Sequence, residues 1–288
     1  MSKLPTGYTE LEYIQSTGKQ YIDTGLVPNQ DTRVYAECVL PISAGSTQAL
    51  FGSRVSSSSR QYQFVTQGGY YRSDYNTTIN NFTKHDYGTA KFYVDKNKNI
   101  TDLNKEYSAT QTYGSFTCPG NMYIFATNNN GNVYGYAKAK LYKLTIYDNG
   151  KLARDFIPCK TVSSAVGLYD TVEGQFYANA GTGTFTAGPE IIPDPPATPT
   201  GLQTVLAVVL QWAASANADR YDVYRDGAKL GSTEGTQYVD TTPEANQTYV
   251  YTVKAVNGGG ESAGTSITVY TKSGYFEYKP LIESANFP

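Results

Sequence analysis

Few residues in this sequence have side chains that could catalyse a reaction. The chain of 288 residues contains a single histidine, His85, and three cysteines, Cys38, Cys118 and Cys159. A nucleophilic triad needs a histidine as general base, but His85 lies in the polar stretch NFTKHDYGTA, which is typical of a loop. The cysteines are odd in number and lack metal-ligand spacing, so we predict three buried thiols without a disulfide framework. The sequence therefore predicts no catalytic residue.

Carboxylates that could bind a cation are concentrated in one region, which contains Asp74, Asp86, Asp95 and Asp102. None of them has the ligand spacing of a calcium loop. Solvated carboxylates are the simpler interpretation, and we predict neither a metal site nor a cofactor.

Two stretches, GGYYRSDYNTT and ATNNNGNVYGY, combine aromatic rings with amide or carboxylate groups. Tyrosine supplies an apolar ring face with a hydrogen-bonding tip, and asparagine both donates and accepts hydrogen bonds. If both stretches are loops, these side chains form a candidate glycan site. Its residues are Tyr70, Tyr71, Asp74, Tyr75, Asn128, Asn129, Asn130 and Tyr134. Asn-Asn-Asn-Gly is also a favourable turn sequence, which is the alternative for the second stretch.

The composition of the chain is that of an all-β protein. It contains 27 Tyr and 27 Gly, and strand-like runs bounded by Gly, Asn and Pro recur without apolar residues at helical spacing. The net charge is −2 and no basic cluster is present, which argues against a nucleic-acid partner. No apolar run is long enough for membrane insertion, and MSKLPTGYTE lacks the features of a signal peptide.

A proline-rich segment, GPEIIPDPPATPTG, indicates a boundary between two domains because proline favours a stiff extended linker. We predict a first domain over residues 1–187, a linker over 188–200, a second domain over 201–273 and a tail over 274–288.

In the second domain, Asp226-Gly227 lies between two alternating segments and predicts a hairpin. Alternation in TYVYTVKAV predicts one core face, made of Tyr249, Tyr251, Val253 and Ala255. The start PPATPTGL, Trp212 in the second strand, and Tyr249 six residues after Pro243 resemble a fibronectin type III domain. The resemblance implies that Trp212 packs between two sheets and that the Tyr249 hydroxyl bonds to backbone.

The first domain consists of many short strand-like runs, which favours two packed antiparallel sheets in a jelly roll. Alternation in TRVYAECVL places Val34, Ala36, Cys38 and Leu40 on one face and the residues between them on the other. Alternation in AKLYKLTIYDNG predicts a core face made of Tyr142, Leu144 and Ile146, before Asn149-Gly150 turns the chain.

Three motifs in the first domain are long enough to suggest a family: LPTGYTELEYIQSTGKQYIDTG, AKLYKLTIYDNGKLARDFIPCK and VGLYDTVEGQFYANAGTGTFTAG. Over residues 4–187 the chain resembles the concanavalin A-like, laminin-G-like lectin domain, in the version found in bacteriophage structural proteins and gut-bacterial surface proteins. The resemblance implies a sandwich that binds carbohydrate or protein. Hydrolases related to this fold carry a Glu-x-Asp-x-x-Glu stretch, which this sequence lacks, and its lyases need a histidine, for which only His85 is present.

From these features we predict a non-enzymatic bacteriophage virion structural protein of the fibre or decoration kind. It would bind host-surface polysaccharide or other virion proteins, form a homo-oligomer, and be located in the virion after assembly in the host cytoplasm. The alternative is a bacterial cell-surface or secreted carbohydrate-binding adhesin. An enzyme of unrecognised type is the third hypothesis.

Overall fold

The computed structural model describes residues 4–41, 46–55, 59–82, 90–94, 101–102, 105–106, 114–192, 194–203 and 207–272. These residues form strands and no helix, which confirms the predicted all-β fold class. The described ranges therefore contain no helix long and apolar enough to cross a membrane. The chain divides between Ile191 and Ile192 into two compact units, here called the first and the second unit.

The described strands of the first unit are short, and most contain two to seven residues. They are β1 (Tyr8–Glu10), β2 (Ile14–Gln15), β3 (Ile22–Asp23), β4 (Arg33–Val39), β5 (Gln48–Arg54), β6 (Gln61–Gln67), β7 (Tyr70–Asn76), β8 (Thr78–Phe82), β9 (Ala90–Val94), β10 (Thr101–Asp102), β11 (Lys105–Glu106), β12 (Tyr123–Ile124), β13 (Thr127–Asn129), β14 (Asn132–Tyr134), β15 (Lys140–Asp148), β16 (Lys151–Thr161), β17 (Val166–Asp170), β18 (Gln175–Tyr177) and β19 (Thr186–Ala187).

The larger described strands of the first unit form two sheets. Sheet A has the order β18-β17-β16-β15-β2-β19, with β1 paired to β16, β4 to β15 and β9 to β4. Sheet B has the order β14-β13-β5-β6-β7-β8, and β12 lies between β3 and β5. Apolar residues of both sheets, such as Leu144 of sheet A and Phe64 of sheet B, share one core. The first unit is therefore the two-sheet sandwich that the sequence predicted.

The alternating patterns of β4 and β15 are both present, with one difference. In and after β4, Val34, Ala36, Cys38 and Leu40 form the buried face. In β15, Leu144 and Ile146 are buried as predicted, but Tyr142 is not. A register shift between Leu141 and Lys143 changes the alternation at this point, so that Leu141 faces the core in place of Tyr142.

The first unit extends beyond residue 187, where the sequence predicted the start of a linker. The Glu12 N–H donates to the Pro189 carbonyl at 2.8 Å, and the Ile191 N–H donates to the Glu10 carbonyl at 3.0 Å. A proline lacks the backbone donor but keeps its carbonyl acceptor. Pro189 can therefore pair with a neighbouring segment, and the proline-rich stretch does not act as a free spacer from its first residue.

The second unit contains eight described strands. They are β20 (Thr200–Gln203), β21 (Val208–Gln211), β22 (Arg220–Arg225), β23 (Ala228–Thr233), β24 (Gln237–Asp240), β25 (Thr248–Asn257), β26 (Gly260–Glu261) and β27 (Thr265–Tyr270). One sheet has the order β20-β21-β24, and the other has β23-β22-β25-β26 with β27 also paired to β25. The second unit is thus a sandwich of two antiparallel sheets, within the all-β fold class that the sequence predicted.

The core of the second unit contains the residues that carried its resemblance. Trp212 is buried, and its ring meets that of Tyr221 edge-on with a centroid distance of 5.3 Å. The Tyr249 hydroxyl accepts a hydrogen bond from the Glu244 backbone N–H at 3.0 Å. The predicted core position of Trp212 and the predicted backbone tie of Tyr249 are therefore confirmed.

Two hairpins close with the turns that the sequence predicted. Asn149 and Gly150 have φ angles of 49° and 78°, and Asp226 and Gly227 have 49° and 82°. Two consecutive residues at positive φ define the turn that matches the twist of a two-residue hairpin, and Asx-Gly pairs adopt it most readily.

A buried carboxylate, Asp240, links two elements of the second unit. It accepts hydrogen bonds from Arg225 Nη1 at 2.7 Å, the Tyr251 hydroxyl at 2.8 Å and the Thr242 N–H at 2.9 Å. Burial alone would raise the pKa of Asp240, but the hydrogen bonds from Thr242 and Tyr251 and the Arg225 charge outweigh burial and lower this pKa below its ordinary value.

We expect the second unit to lose stability as the pH falls below about 4, the ordinary range of an aspartate in an unfolded chain. A carboxylate whose pKa is lower in the folded state stabilises fully above its unfolded pKa, and the effect is lost as the pH falls through the folded value. Trp212 is the only tryptophan of the chain, so its fluorescence during urea unfolding at pH 7 and pH 3 follows this unit alone. Asp240→Asn should be less stable at pH 7 and show a weaker pH dependence; an unchanged dependence would contradict this role of Asp240.

Candidate functional site

The first predicted binding stretch forms a strand rather than a loop. Strand β7 pairs with β6 on one side and β8 on the other, so its side chains alternate between the core and the outer side of sheet B. The rings of Tyr71 and Tyr75 lie in the core, and their hydroxyls donate to the carbonyls of Leu40 at 2.8 Å and Gln30 at 2.6 Å. The prediction that these two tyrosines stack on a ligand is therefore wrong, whereas Tyr70 at the start of β7 is exposed.

Asp74 lies on the outer side of sheet B but is fully buried. Arg72 donates to both carboxylate oxygens, with Nε–Oδ1 and Nη2–Oδ2 distances of 2.6 Å. Gln63 also donates to Asp74, and the Thr127 hydroxyl donates to Gln63 Oε1 at 2.9 Å. We call these four residues the polar network. It joins β7, β6 and β13, so Asp74 has a structural role and the predicted ligand contact is corrected.

The second predicted stretch forms a tight hairpin between β13 and β14. Asn130 and Gly131 have φ angles of 53° and 88° at its tip. Asn128 is buried; its Oδ1 accepts from the Gly131 N–H at 2.8 Å and its Nδ2 donates to the Asn121 carbonyl at 2.9 Å. Asn128 therefore holds the turn, as the alternative interpretation of this stretch predicted, and its side chain is not available to a ligand.

The other candidates on this hairpin are partly or fully exposed and lie next to the buried Arg54. Arg54 Nε donates to Asn129 Oδ1 at 3.1 Å, and the Arg54 guanidinium lies 4.5 Å from the centroid of the Tyr134 ring. Tyr134 is 41% exposed, and Asn130 is exposed at the tip. We call Arg54, Asn129, Asn130 and Tyr134 the hairpin group. Sequence reasoning missed Arg54, which comes from β5, because only tertiary structure places β5 beside β13.

A second aromatic surface lies on the same unit and was not predicted. The rings of Tyr21 and Tyr123 are 4.6 Å apart between centroids, and those of Tyr21 and Tyr136 are 6.2 Å apart. We call these residues the tyrosine triad. Tyr136 is 36% exposed, and the other two are partly buried. The Tyr21 ring packs against both other rings of the triad.

Strand pairing places the triad outside the core. In the β3–β12 pair, Ile22 lies opposite Ile124 and both are buried, while the next pair, Asp23 and Tyr123, points the other way. Tyr136 forms a β-bridge with Ala49 of β5. The alternation in QYIDTG and NMYIF could have indicated these outward faces, but not that they meet, because about 100 residues separate them.

The phenols of Tyr21 and Tyr123 stay protonated at neutral pH. Burial raises the pKa of Tyr21, and nearby Tyr136 and Asp23 raise it further. Burial likewise raises the pKa of Tyr123, followed by the effects of Asp23 and Tyr21. Each hydroxyl can therefore both donate and accept a hydrogen bond.

Metal binding and thiol chemistry find no support in the described part of the chain. It contains no group of three or more His, Cys, Asp or Glu residues that could hold a metal ion. Cys38, Cys118 and Cys159 are free and buried, as predicted, and burial raises the pKa of Cys118 and of Cys159 to about 12. His85 and Asp86 lie outside the described residues.

No model of a known protein family matches the chain. Among curated proteins, the chain is 40% identical over 102 residues to a poly(3-hydroxybutyrate) depolymerase of Ralstonia pickettii, which covers 33% of this chain and 19% of that protein. It is 37% identical over 107 residues to chitinase Chi52 of Paenibacillus xylanexedens, covering 34% and 20%, respectively. It is 33% identical over 144 residues to an alpha-amylase of Niallia circulans, covering 40% and 11%. The chain thus spans a fifth or less of the length of these relatives.

Solved structures with a similar arrangement of strands include domains LG4-5 of the mouse laminin alpha1 chain, at a TM-score of 0.36 and 10% identity. That likeness covers 93% of this chain and 68% of the laminin chain. Another is FN3tt mut, at a TM-score of 0.27 and 24% identity, which covers 28% of this chain and 99% of that chain.

The relatives correct two predictions. The predicted virion structural protein and the predicted location in a virion are wrong, because the curated relatives are polymer-degrading enzymes of bacteria. They favour the alternative, a bacterial carbohydrate-binding protein. The relatives are enzymes, but the chain matches only a part of each. The predicted homo-oligomer stays a prediction.

Proposed function

We propose that this chain is a non-catalytic, carbohydrate-binding part of a protein that a bacterium secretes. The observation that carries the proposal is that the chain matches only parts of several different enzymes. Parts of one chain are similar to parts of a chitinase, an alpha-amylase and a depolymerase, which act on different polymers. A chain that matches only a small part of each of several enzymes with different specificities is expected to lack the chemistry that distinguishes them, as an accessory module does.

The first unit supplies the surface for binding in this proposal. The tyrosine triad and the hairpin group present partly exposed rings beside amide, guanidinium and hydroxyl groups. Rings of this type stack on the apolar faces of sugars while their polar neighbours bond to hydroxyls. The second unit, whose tryptophan lies in its core, acts as a spacer.

The buried carboxylates of both units support a non-catalytic role. A glycosidase needs two carboxyl groups about 5–10 Å apart in an accessible cleft. Asp74, Asp170, Asp222 and Asp240 are buried, and each forms an ion pair with an arginine or a lysine. Carboxylates that are buried and paired in this way are not accessible to a substrate.

The test is co-sedimentation of the purified chain with insoluble chitin, cellulose, starch and poly(3-hydroxybutyrate), together with an assay for released reducing sugar. We expect retention on at least one polysaccharide and no release of sugar. Serum albumin is the control for non-specific retention. If the chain stays in the supernatant with every polysaccharide, the proposed binding is contradicted. Release of sugar by the purified chain would contradict the non-catalytic role.

A further inference from the structure

The tyrosine triad can be assigned a ligand class. Resting on the proposed carbohydrate-binding function, we propose that Tyr21, Tyr123 and Tyr136, together with Asp23, form a subsite for sugar units that carry no acidic group. The polymers that fit this description are neutral or amino-sugar polysaccharides, and polymers of uronic acids or sulfated sugars are rejected.

The rings of the triad are available for stacking because they lie outside the core. Ile22 and Ile124, their neighbours in β3 and β12, are fully buried and turn the tyrosines to the other side of the sheet. The triad does not belong to the core cluster of the first unit, and its rings contact one another at the surface. Tyrosines in such a position provide the flat apolar area that the C–H face of a pyranose covers.

The backbone holds the triad in place before any ligand binds. The Tyr21 N–H donates to Asn179 Oδ1 at 3.1 Å, and the Tyr21 carbonyl accepts from the Ala180 N–H at 2.8 Å. Tyr123 is fixed in a strand that pairs on both sides. A surface that is ordered in advance loses little conformational entropy on binding.

Glycines flank two of the rings. Gly52 of β5 lies opposite Tyr123 in the strand pair and presents no side chain to its ring. Gly181 lies beside Tyr21, where an added Cβ would come within 3.2 Å of the ring atom Cδ1. An added Cβ would also lie 2.5 Å from Gln63 Cβ at Gly52 and 2.3 Å from the Lys19 carbonyl oxygen at Gly181, so both glycines allow the segments around the rings to pack closely.

Asp23 gives the subsite a negative charge. It lies opposite Tyr123 in the strand pair and two residues from Tyr21, and its negative charge acts on both phenols. Its Oδ1 accepts from the Gly25 N–H at 2.9 Å, which fixes the carboxylate beside the rings. A sugar carboxylate or sulfate stacked on the triad would be repelled by this charge, whereas sugar hydroxyl or amino groups can donate hydrogen bonds to it.

The experiment is affinity electrophoresis of the full chain in gels that contain glycol chitin, soluble starch, hydroxyethyl cellulose or polygalacturonate. We expect the wild type to be retarded by at least one of the first three and not by polygalacturonate. Tyr136→Ala, and Tyr123→Ala combined with Tyr136→Ala, should weaken retardation about tenfold or more in dissociation constant. Tyr270→Ala removes a tyrosine that is 52% exposed on the second unit and should change nothing.

Two further variants keep the result interpretable. Tyr136→Leu preserves apolar volume but removes the flat ring, and it should bind as weakly as the alanine variant if the fold is intact by near-ultraviolet circular dichroism. Asp23→Asn retains the oxygen that bonds to Gly25, and it should allow retardation by polygalacturonate.

The outcomes separate the two proposals. If the wild type is retarded by none of the four polymers, the proposed function fails. If the wild type is retarded and the folded triad variants bind equally well, the triad is not the subsite, although the proposed function stands. If polygalacturonate retards the wild type as strongly as the other polymers do, or if Asp23→Asn leaves its exclusion unchanged, the assignment of the ligand class is contradicted.

Discussion

Replacing Trp212 by alanine is expected to lower the free energy of unfolding of the second unit by about 3–5 kcal/mol. The indole is buried between the two sheets and meets the Tyr221 ring edge-on. Its removal leaves a cavity that β-sheet backbones on both sides cannot readily collapse to fill, so the cost exceeds the loss of apolar burial alone. A loss of this size is a large fraction of the stability of a small domain.

The substitution removes the only tryptophan of the chain, so unfolding of the second unit is followed by scanning calorimetry of the full chain instead of by fluorescence. Val239→Ala, at a position that is 47% exposed on the same unit, is the matched control and should cost about 0.5 kcal/mol or less. Trp212→Phe should cost less than alanine, because phenylalanine refills part of the space. Both variants also remove an indole N–H that has no hydrogen-bond partner in the described part of the chain. An unchanged melting temperature of the second unit in Trp212→Ala would refute the core assignment.

Replacing Asp74 by alanine is expected to destabilise the first unit by about 3–5 kcal/mol, the cost of removing one partner from a buried ion pair. Arg72 would keep its charge while losing two hydrogen bonds of 2.6 Å. Gln63 Nε2 would lose its acceptor, and the side chain could not turn to find another because Gln63 Oε1 accepts a hydrogen bond from Thr127. If Asp74 were instead a ligand contact, the substitution would weaken binding and leave stability nearly unchanged.

A double-mutant cycle with Asp74→Leu and Arg72→Met measures the coupling by urea unfolding. We expect the double variant to be more stable than Asp74→Leu alone, because it leaves no unpaired charge in the buried network. Additive losses would show that the two side chains do not depend on each other and would contradict the network.

The parts of the fold that the sequence predicted correctly are those that depend on local alternation and on the residues that form turns. The alternating faces of β4, the Asx-Gly hairpins and the core of the second unit follow from periodicity and a few fixed residues. The core face of β15 was partly misassigned, because a bulge between Leu141 and Lys143 shifts the alternation and leaves no mark in the composition. The first unit ends later than the sequence predicted, because the proline-rich segment was interpreted as a linker from its first residues although the Pro189 carbonyl accepts a hydrogen bond from Glu12.

The candidate site was predicted less well, because burial at Tyr71, Tyr75 and Asp74 depends on partners far away in the sequence. In GGYYRSDYNTT, polar residues and glycines resemble a loop, yet β6 and β8 convert the stretch into a paired strand. The second stretch was partly correct: Tyr134 is exposed, while Asn128 holds the turn. The tyrosine triad depends entirely on contacts among three separate segments, which no local pattern contains.

The function was predicted wrongly in its main form because a fold does not determine a function. The resemblance to a lectin-like domain was combined with the free cysteines and the missing signal-peptide features, and together these favoured a virion. The similarity to polymer-degrading bacterial enzymes contradicts the virion hypothesis and favours its alternative. The bacterial carbohydrate-binding protein is therefore retained as a proposal.

The central claim is that this chain binds polysaccharide and does not cleave it. Isothermal titration calorimetry of the full chain with soluble fragments of the polysaccharide that retains it tests this claim most directly. The account predicts saturable binding by the wild type, weaker binding by Tyr136→Ala, and fragments of unchanged length after prolonged incubation. The absence of binding to fragments of every polysaccharide, or shortening of the fragments by the purified chain, would contradict it.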